Sequence, residues 1–130
     1  MRHFRLEKIF VHIVDDDESV QKALSRLMRS VGIESCTYES SKSFLEKVHN
    51  DNNACILMDM NMPNMNGLEL AAQLKQKGIQ LPVIAISARD DDGVRQLARD
   101  LGVKFFLRKP VDDQALLDAI SWVMQNKVDS

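Results

Sequence analysis

Cysteine is scarce in this chain. Only Cys36 and Cys55 occur in 130 residues, far apart and with no CxxC pairing. That excludes a disulfide-stapled scaffold and a thiolate metal cage; each Cys sits in an apparent strand and is expected as a buried, reduced thiol. No apolar stretch approaches the roughly 20 residues that span a bilayer. Met1-Arg2-His3-Phe4-Arg5 is too short and too broken for a signal peptide. Charge of one sign is lacking too. Seventeen Lys and Arg against 19 Asp and Glu give a net charge of −2, so neither a polyanion nor an anionic membrane surface is an expected partner. The chain contains no low-complexity tract, no internal repeat and no linker long enough to join two domains. These absences leave a soluble, cytoplasmic chain, expected as one domain over 1–130 with its core at about 8–125.

What is present alternates between two periodicities. Ile9 to Val14 is almost unbroken apolar sequence, and Val20, Ala23, Leu24, Leu27, Met28 and Val31 then recur at helical spacing up to Gly32. Ile33 to Tyr38 alternates as a half-exposed strand does, and Ser40 and Ser41 can cap a short helix carrying Phe44, Leu45 and Val48. The run Ala54 to Met58 reads as a buried strand, with a helix from Leu68 to Lys77 behind it. Leu81 to Ile86 and Val103 to Leu107 are further strands. Val94 to Leu101 and Leu116 to Met124 are further helices. Five βα units with short connections imply an α/β fold, a doubly wound parallel sheet. Strands one, three and four are continuously apolar, as interior strands are, whereas two and five alternate as edges do. That pattern fits the order 2-1-3-4-5, with its switch point between strands one and three.

The carboxyl ends of those strands carry the chemistry. Strand one ends in Asp15-Asp16-Asp17, strand three in Asp59, strand four in Ser87-Ala88 and strand five in Lys109-Pro110. With strands one and three adjacent, the carboxylates converge in one crevice. Packed carboxylates repel, and a hard divalent cation that prefers oxygen, Mg²⁺ with Mn²⁺ as a substitute, relieves them. The Ser87 hydroxyl and the Lys109 ammonium would hold phosphoryl oxygens while Asp59 attacks in line. A cis Lys109-Pro110 bond is one way to aim Lys109 inward. Crowding also predicts that, without the cation, Asp16→Ala or Asp59→Asn stabilises the fold.

From about Ile9 to Met124 the chain resembles the receiver domain of bacterial two-component response regulators, whose fold is flavodoxin-like. The resemblance rests on Asp15-Asp16 after an apolar strand, Asp59 followed by Met62-Pro63 and Gly67, then Ser87-Ala88 and Lys109-Pro110. It implies that Asp59 is the phosphoacceptor and that Asp15, Asp16, Asp59 and the Asn61 backbone carbonyl hold Mg²⁺. It further implies that Ser87 and Lys109 contact the phosphoryl group, and that Phe106 with Ser87 forms the switch. Asn61 and Arg89 would tune the lifetime of the phosphorylated state. The implied partner is a histidine kinase or phosphotransfer protein, and the implied output is a change in the face formed by helix four, strand five and helix five. That face leaves room for a homodimer, with no direct nucleic-acid binding by this domain. Val111 departs from the more usual Phe after Lys-Pro.

Two other functions compete. A small Mg²⁺-dependent phosphatase of the haloacid dehalogenase type also uses an Asp nucleophile, but its acid/base sits two residues on, where this chain has Asn61. A phosphorylation-independent scaffold would not need the complete acidic, hydroxyl and lysine set. The chain is therefore expected not to be an enzyme beyond catalysing its own phosphorylation and dephosphorylation. Elsewhere the plainer readings prevail. Asp17 and Glu18 open the first helix, and Asp90-Asp91-Asp92 precede and cap another. His12 is a packed strand residue, and Met58, Met60, Met62 and Met65 belong to a strand end and loop rather than a soft-metal site. Phe106, sharing a face with Lys104 and Arg108, lies at a partly open edge. Trp122 is either peripheral packing or part of a contact surface.

Overall fold

A computed structural model describes residues 9–51, 53–89 and 92–125. The elements alternate along the chain as β1 (Phe10–Val14), α1 (Glu18–Ser30), β2 (Glu34–Tyr38), α2 (Ser41–Lys47), β3 (Ala54–Asp59), α3 (Gly67–Gln76), β4 (Val83–Ser87), α4 (Asp92–Asp100), β5 (Val103–Arg108) and α5 (Asp113–Gln125). All strands pair in parallel in the order β2-β1-β3-β4-β5. The switch point therefore falls between β1 and β3, as the apolar runs of the interior strands require. Every residue of β3 and β4 is buried. Among the described residues no helix is long and apolar enough to cross a membrane.

Local signals fix the helix starts. The Asp17 side chain accepts from the backbone of Ser19 and Val20 and caps α1, and Ser40 caps α2 through Ser43. These caps follow the sequence expectation. Asp92 is the first residue of α4, while Asp90 and Asp91 lie outside the described residues. One apolar layer joins α2, α3 and α4 to the sheet around Phe44, Ile56, Met58 and Leu70; the opposite layer joins α1 and α5 through Met28, Leu57, Ile84 and Ile120. Met58, Met60 and Met62 are buried in the first layer and Met65 packs against it, so the methionines are core residues. His12 is buried too, with Nδ1 3.0 Å from the Tyr38 hydroxyl and the rings of Phe10, Tyr38 and Phe44 around it.

One expectation fails. Cys55 is buried, but Cys36 is exposed. β2 is an edge strand, and α2 spans only seven residues, a rise of about 10 Å. That length covers the Tyr38 end of β2 and leaves Cys36 beyond it.

Candidate functional site

Asp59 is the last residue of β3, buried to 4 % exposure beneath the loop that leads to α3. That loop is tied down twice. The Met60 N–H donates to the Ile86 carbonyl at 2.9 Å, and the Gly67 N–H donates to the Met60 carbonyl at 3.2 Å. Gly67 is required by proximity: a Cβ there would lie 2.7 Å from the Met60 Cα, a backbone atom that has nowhere to go. Asn66, just before it, caps α3 by a capping box with Glu69. The helix expected from Leu68 therefore starts one residue earlier, at Gly67, and Asn followed three residues later by Glu is the signature that could have placed its start.

Around Asp59 the strand ends bring the expected residues together. Carboxylate oxygens of Asp15, Asp16 and Asp59 lie within 4.8 Å of one another. Asp15 is buried to 2 % exposure and Asp16 is exposed. On the other side, the Lys109 ammonium, from the residue that follows β5, donates to Asp59 Oδ1 at 3.2 Å; the Lys109-Pro110 bond is cis, as expected. The Asn61 N–H also donates to Oδ1, at 3.1 Å. Oδ2 accepts no hydrogen bond among the described residues. The buried Ser87 hydroxyl donates to Asn61 Oδ1 at 3.4 Å and accepts from the Arg89 N–H at 3.1 Å. Arg89 and Asn61 are exposed at the rim.

Electrostatics separate the acids. Burial, with help from the neighbouring Asp59 and Asp16 charges, pushes the Asp15 carboxyl up from 3.8 to about 6. The Asp17 N–H, donating to Asp15 Oδ1 at 2.9 Å, and Lys109 pull the other way but do not prevail. Asp17 titrates low because it accepts from the Ser19 hydroxyl and from the Ser19 and Val20 backbone, consistent with a cap rather than a ligand. A crowded set of hard oxygen donors with one reluctant carboxylate is suited to Mg²⁺.

The response regulator receiver domain family matches this chain over residues 11–121. The chain belongs to that family. It is 37% identical to the response regulator protein TodT of Pseudomonas putida over 120 residues, which are 92% of this chain and 53% of TodT. It is 34% identical to the transcriptional regulatory protein FixJ of Azorhizobium caulinodans over 114 residues, 88% of this chain and 54% of FixJ. The receiver thus spans about half the length of the curated relatives it matches. Among solved structures, the response regulator StyR superposes with a TM-score of 0.86 at 38% identity, covering 94% of this chain and 62% of StyR. A response regulator receiver protein from Burkholderia phymatum does so at 0.77 and 40%, covering 91% of this chain and 96% of its own. Receivers are generally signal transducers rather than enzymes with a substrate to turn over, and they bind Mg²⁺ at an acidic pocket of this kind.

Proposed function

We propose that this receiver accepts one phosphoryl group on Asp59 from a histidine kinase or phosphotransfer protein and holds it as a signal. The observation that carries the proposal is the division of labour at Asp59. Lys109 and the Asn61 N–H both hold Oδ1, which leaves Oδ2 with lone pairs for phosphorus. Oδ2 forms the new P–O bond as the P–N bond of the donor breaks, and the departing imidazole nitrogen takes a proton. The Lys109 ammonium and the Ser87 hydroxyl hold the equatorial oxygens as charge spreads over them. Asp15, Asp16, Asp59 and the Asn61 backbone carbonyl would hold Mg²⁺, which supplies charge neutralisation at the phosphoryl oxygens. Hydrolysis of the acyl phosphate resets the receiver.

Among the described residues, the Ser87 hydroxyl is held by its long bond to Asn61 and its bond from the Arg89 N–H. A phosphoryl oxygen outcompetes such neutral partners, because charge-assisted hydrogen bonds are roughly twice as strong. Ser87 then turns toward the phosphoryl group, Phe106 follows, and the α4–β5–α5 face changes. That face exposes Leu97, and it would carry a homodimer or a downstream contact. Asn61 and Arg89, at the rim, set how readily water reaches the acyl phosphate. Asn61 also argues against a phosphatase, since a carboxamide that accepts from Ser87 cannot shuttle protons.

Intact mass after incubation with Mg²⁺ and acetyl phosphate tests the proposal. One phosphoryl adduct, absent in Asp59→Asn and absent with EDTA, is expected. Multiple turnover of a small phosphoester would instead indicate a phosphatase, and no adduct would indicate a phosphorylation-independent scaffold.

A further inference from the structure

The ring of Phe106 is gripped by a cation from α4. Arg95 places its guanidinium carbon 5.4 Å from the centre of that ring, within the roughly 6 Å over which a cation is attracted to a π face. The ring is half-buried against the α2–α3–α4 layer. Its strand register sets it beside Ala85, on the sheet face that also carries Ser87. A cavity of about 250 Å³ opens at the Ser87 end of β4, lined by Met60, Leu68 and Val94 on its apolar side and by Asn61, Ser87 and Arg89 on its polar side. Val94 is the chain neighbour of Arg95, so one turn of α4 supplies both a wall of that cavity and the cation on the ring.

We propose that Arg95 is a positioning residue of the switch, its guanidinium fastening the Phe106 ring outside the cavity beside Ser87. This rests on the phosphoacceptor reading above and deepens it. When Ser87 turns toward a phosphoryl group the cavity enlarges, and the ring can enter only by leaving Arg95. The contact therefore biases the resting equilibrium outward, by about two- to fivefold for a partly exposed cation–π pair. The same contact explains how α4 would learn the state of Asp59, since a ring that withdraws leaves Arg95 without its π face.

Amide NMR spectra of the whole chain test this. Unphosphorylated and acetyl-phosphate-treated wild type define, for α4 and β5 amides, a line between two states. Arg95→Met, which keeps the stem and removes the charge, should move the unphosphorylated protein along that line, raising the ratio of inward to outward forms about two- to fivefold. Arg95→Lys, still a cation, should return most of the way to wild type. In a Phe106→Leu background, Arg95→Met should have no further effect. Wild-type positions in Arg95→Met, equal displacement in Arg95→Met and Arg95→Lys, or an undiminished effect in the Phe106→Leu background would each overturn the proposal. Should Arg95→Met fail to fold, Arg95→Gln replaces it with the same expected displacement. A wild type that gains no phosphoryl adduct defeats the phosphoacceptor reading separately. The Phe106 ring carbon shifts then decide the Arg95 proposal alone, and Arg95→Met must move them while Arg95→Lys restores them.

Discussion

Replacing Asp15 by Asn should stabilise this protein in EDTA, and should do so only above the acid range. Asp15 is buried and its carboxyl is held at about 6 rather than 3.8. The folded state therefore grips this proton more tightly than the unfolded chain does. Stability contributed by the group falls as pH rises from about 3.8 to about 6 and stays level above that, because ionised Asp15 is penalised only in the fold. A separation of about two pH units at roughly 1.4 kcal/mol each gives an upper bound near 3 kcal/mol. Water entering the open crevice reduces it, so about 1–3 kcal/mol is expected. Asn keeps an oxygen to accept the Asp17 N–H, so the comparison isolates the charge. Urea unfolding of both proteins in EDTA at about pH 4 and about pH 7.5 measures it. The midpoints should nearly coincide in acid and separate at neutral pH, with Asp15→Asn the more stable. A less stable variant at neutral pH, or an equal gain at both pH values, would refute the reasoning. The structure moves this expectation away from Asp16 and Asp59, where the sequence reading placed it. Asp16 is exposed, and Asp59 already has Lys109 at 3.2 Å.

Mg²⁺ affinity should fall about tenfold per pH unit below about 6, as protons compete for Asp15; calorimetric titration across that range checks it, and a pH-independent affinity would exclude Asp15 as a ligand. Gly67→Ala should destabilise the fold by about 1–3 kcal/mol through the clash with the Met60 backbone, read as a lower urea midpoint with unchanged slope. Lys109→Ala leaves the buried Asp59 without its cation and should lose about 1–3 kcal/mol in EDTA. The same variant should accept phosphate from acetyl phosphate far more slowly, by intact-mass time course; a normal rate would remove Lys109 from the site.

Much of the site was legible because strand ends are. The continuous apolar runs before Asp15, Asp59 and Ser87 could only be interior strands, and a doubly wound order then forces their carboxyl ends into one crevice. Cys36 was misread because strand pairing is visible in sequence but helix cover is not, and α2 is too short to reach it. The Gly67 seat under Met60 depends on a close approach across a loop, which spacing alone does not encode. The Arg95–Phe106 contact was hidden for a subtler reason. β5 pairs Val103 with Val83 but Phe105 with Ile84, so the register slips past Lys104. That irregularity decides which face Phe106 shares with Ser87, and no periodicity announces it.

The central claim is that Asp59 itself carries the phosphoryl group. Treating the protein with Mg²⁺ and acetyl phosphate, reducing it with borohydride and mapping its peptides tests this directly, because borohydride converts an acyl phosphate to an alcohol and leaves free carboxylates untouched. The account predicts one reduced side chain, at Asp59, and none in protein treated without Mg²⁺. Reduction at Asp15, Asp16 or another acid, with Asp59 intact, would contradict it.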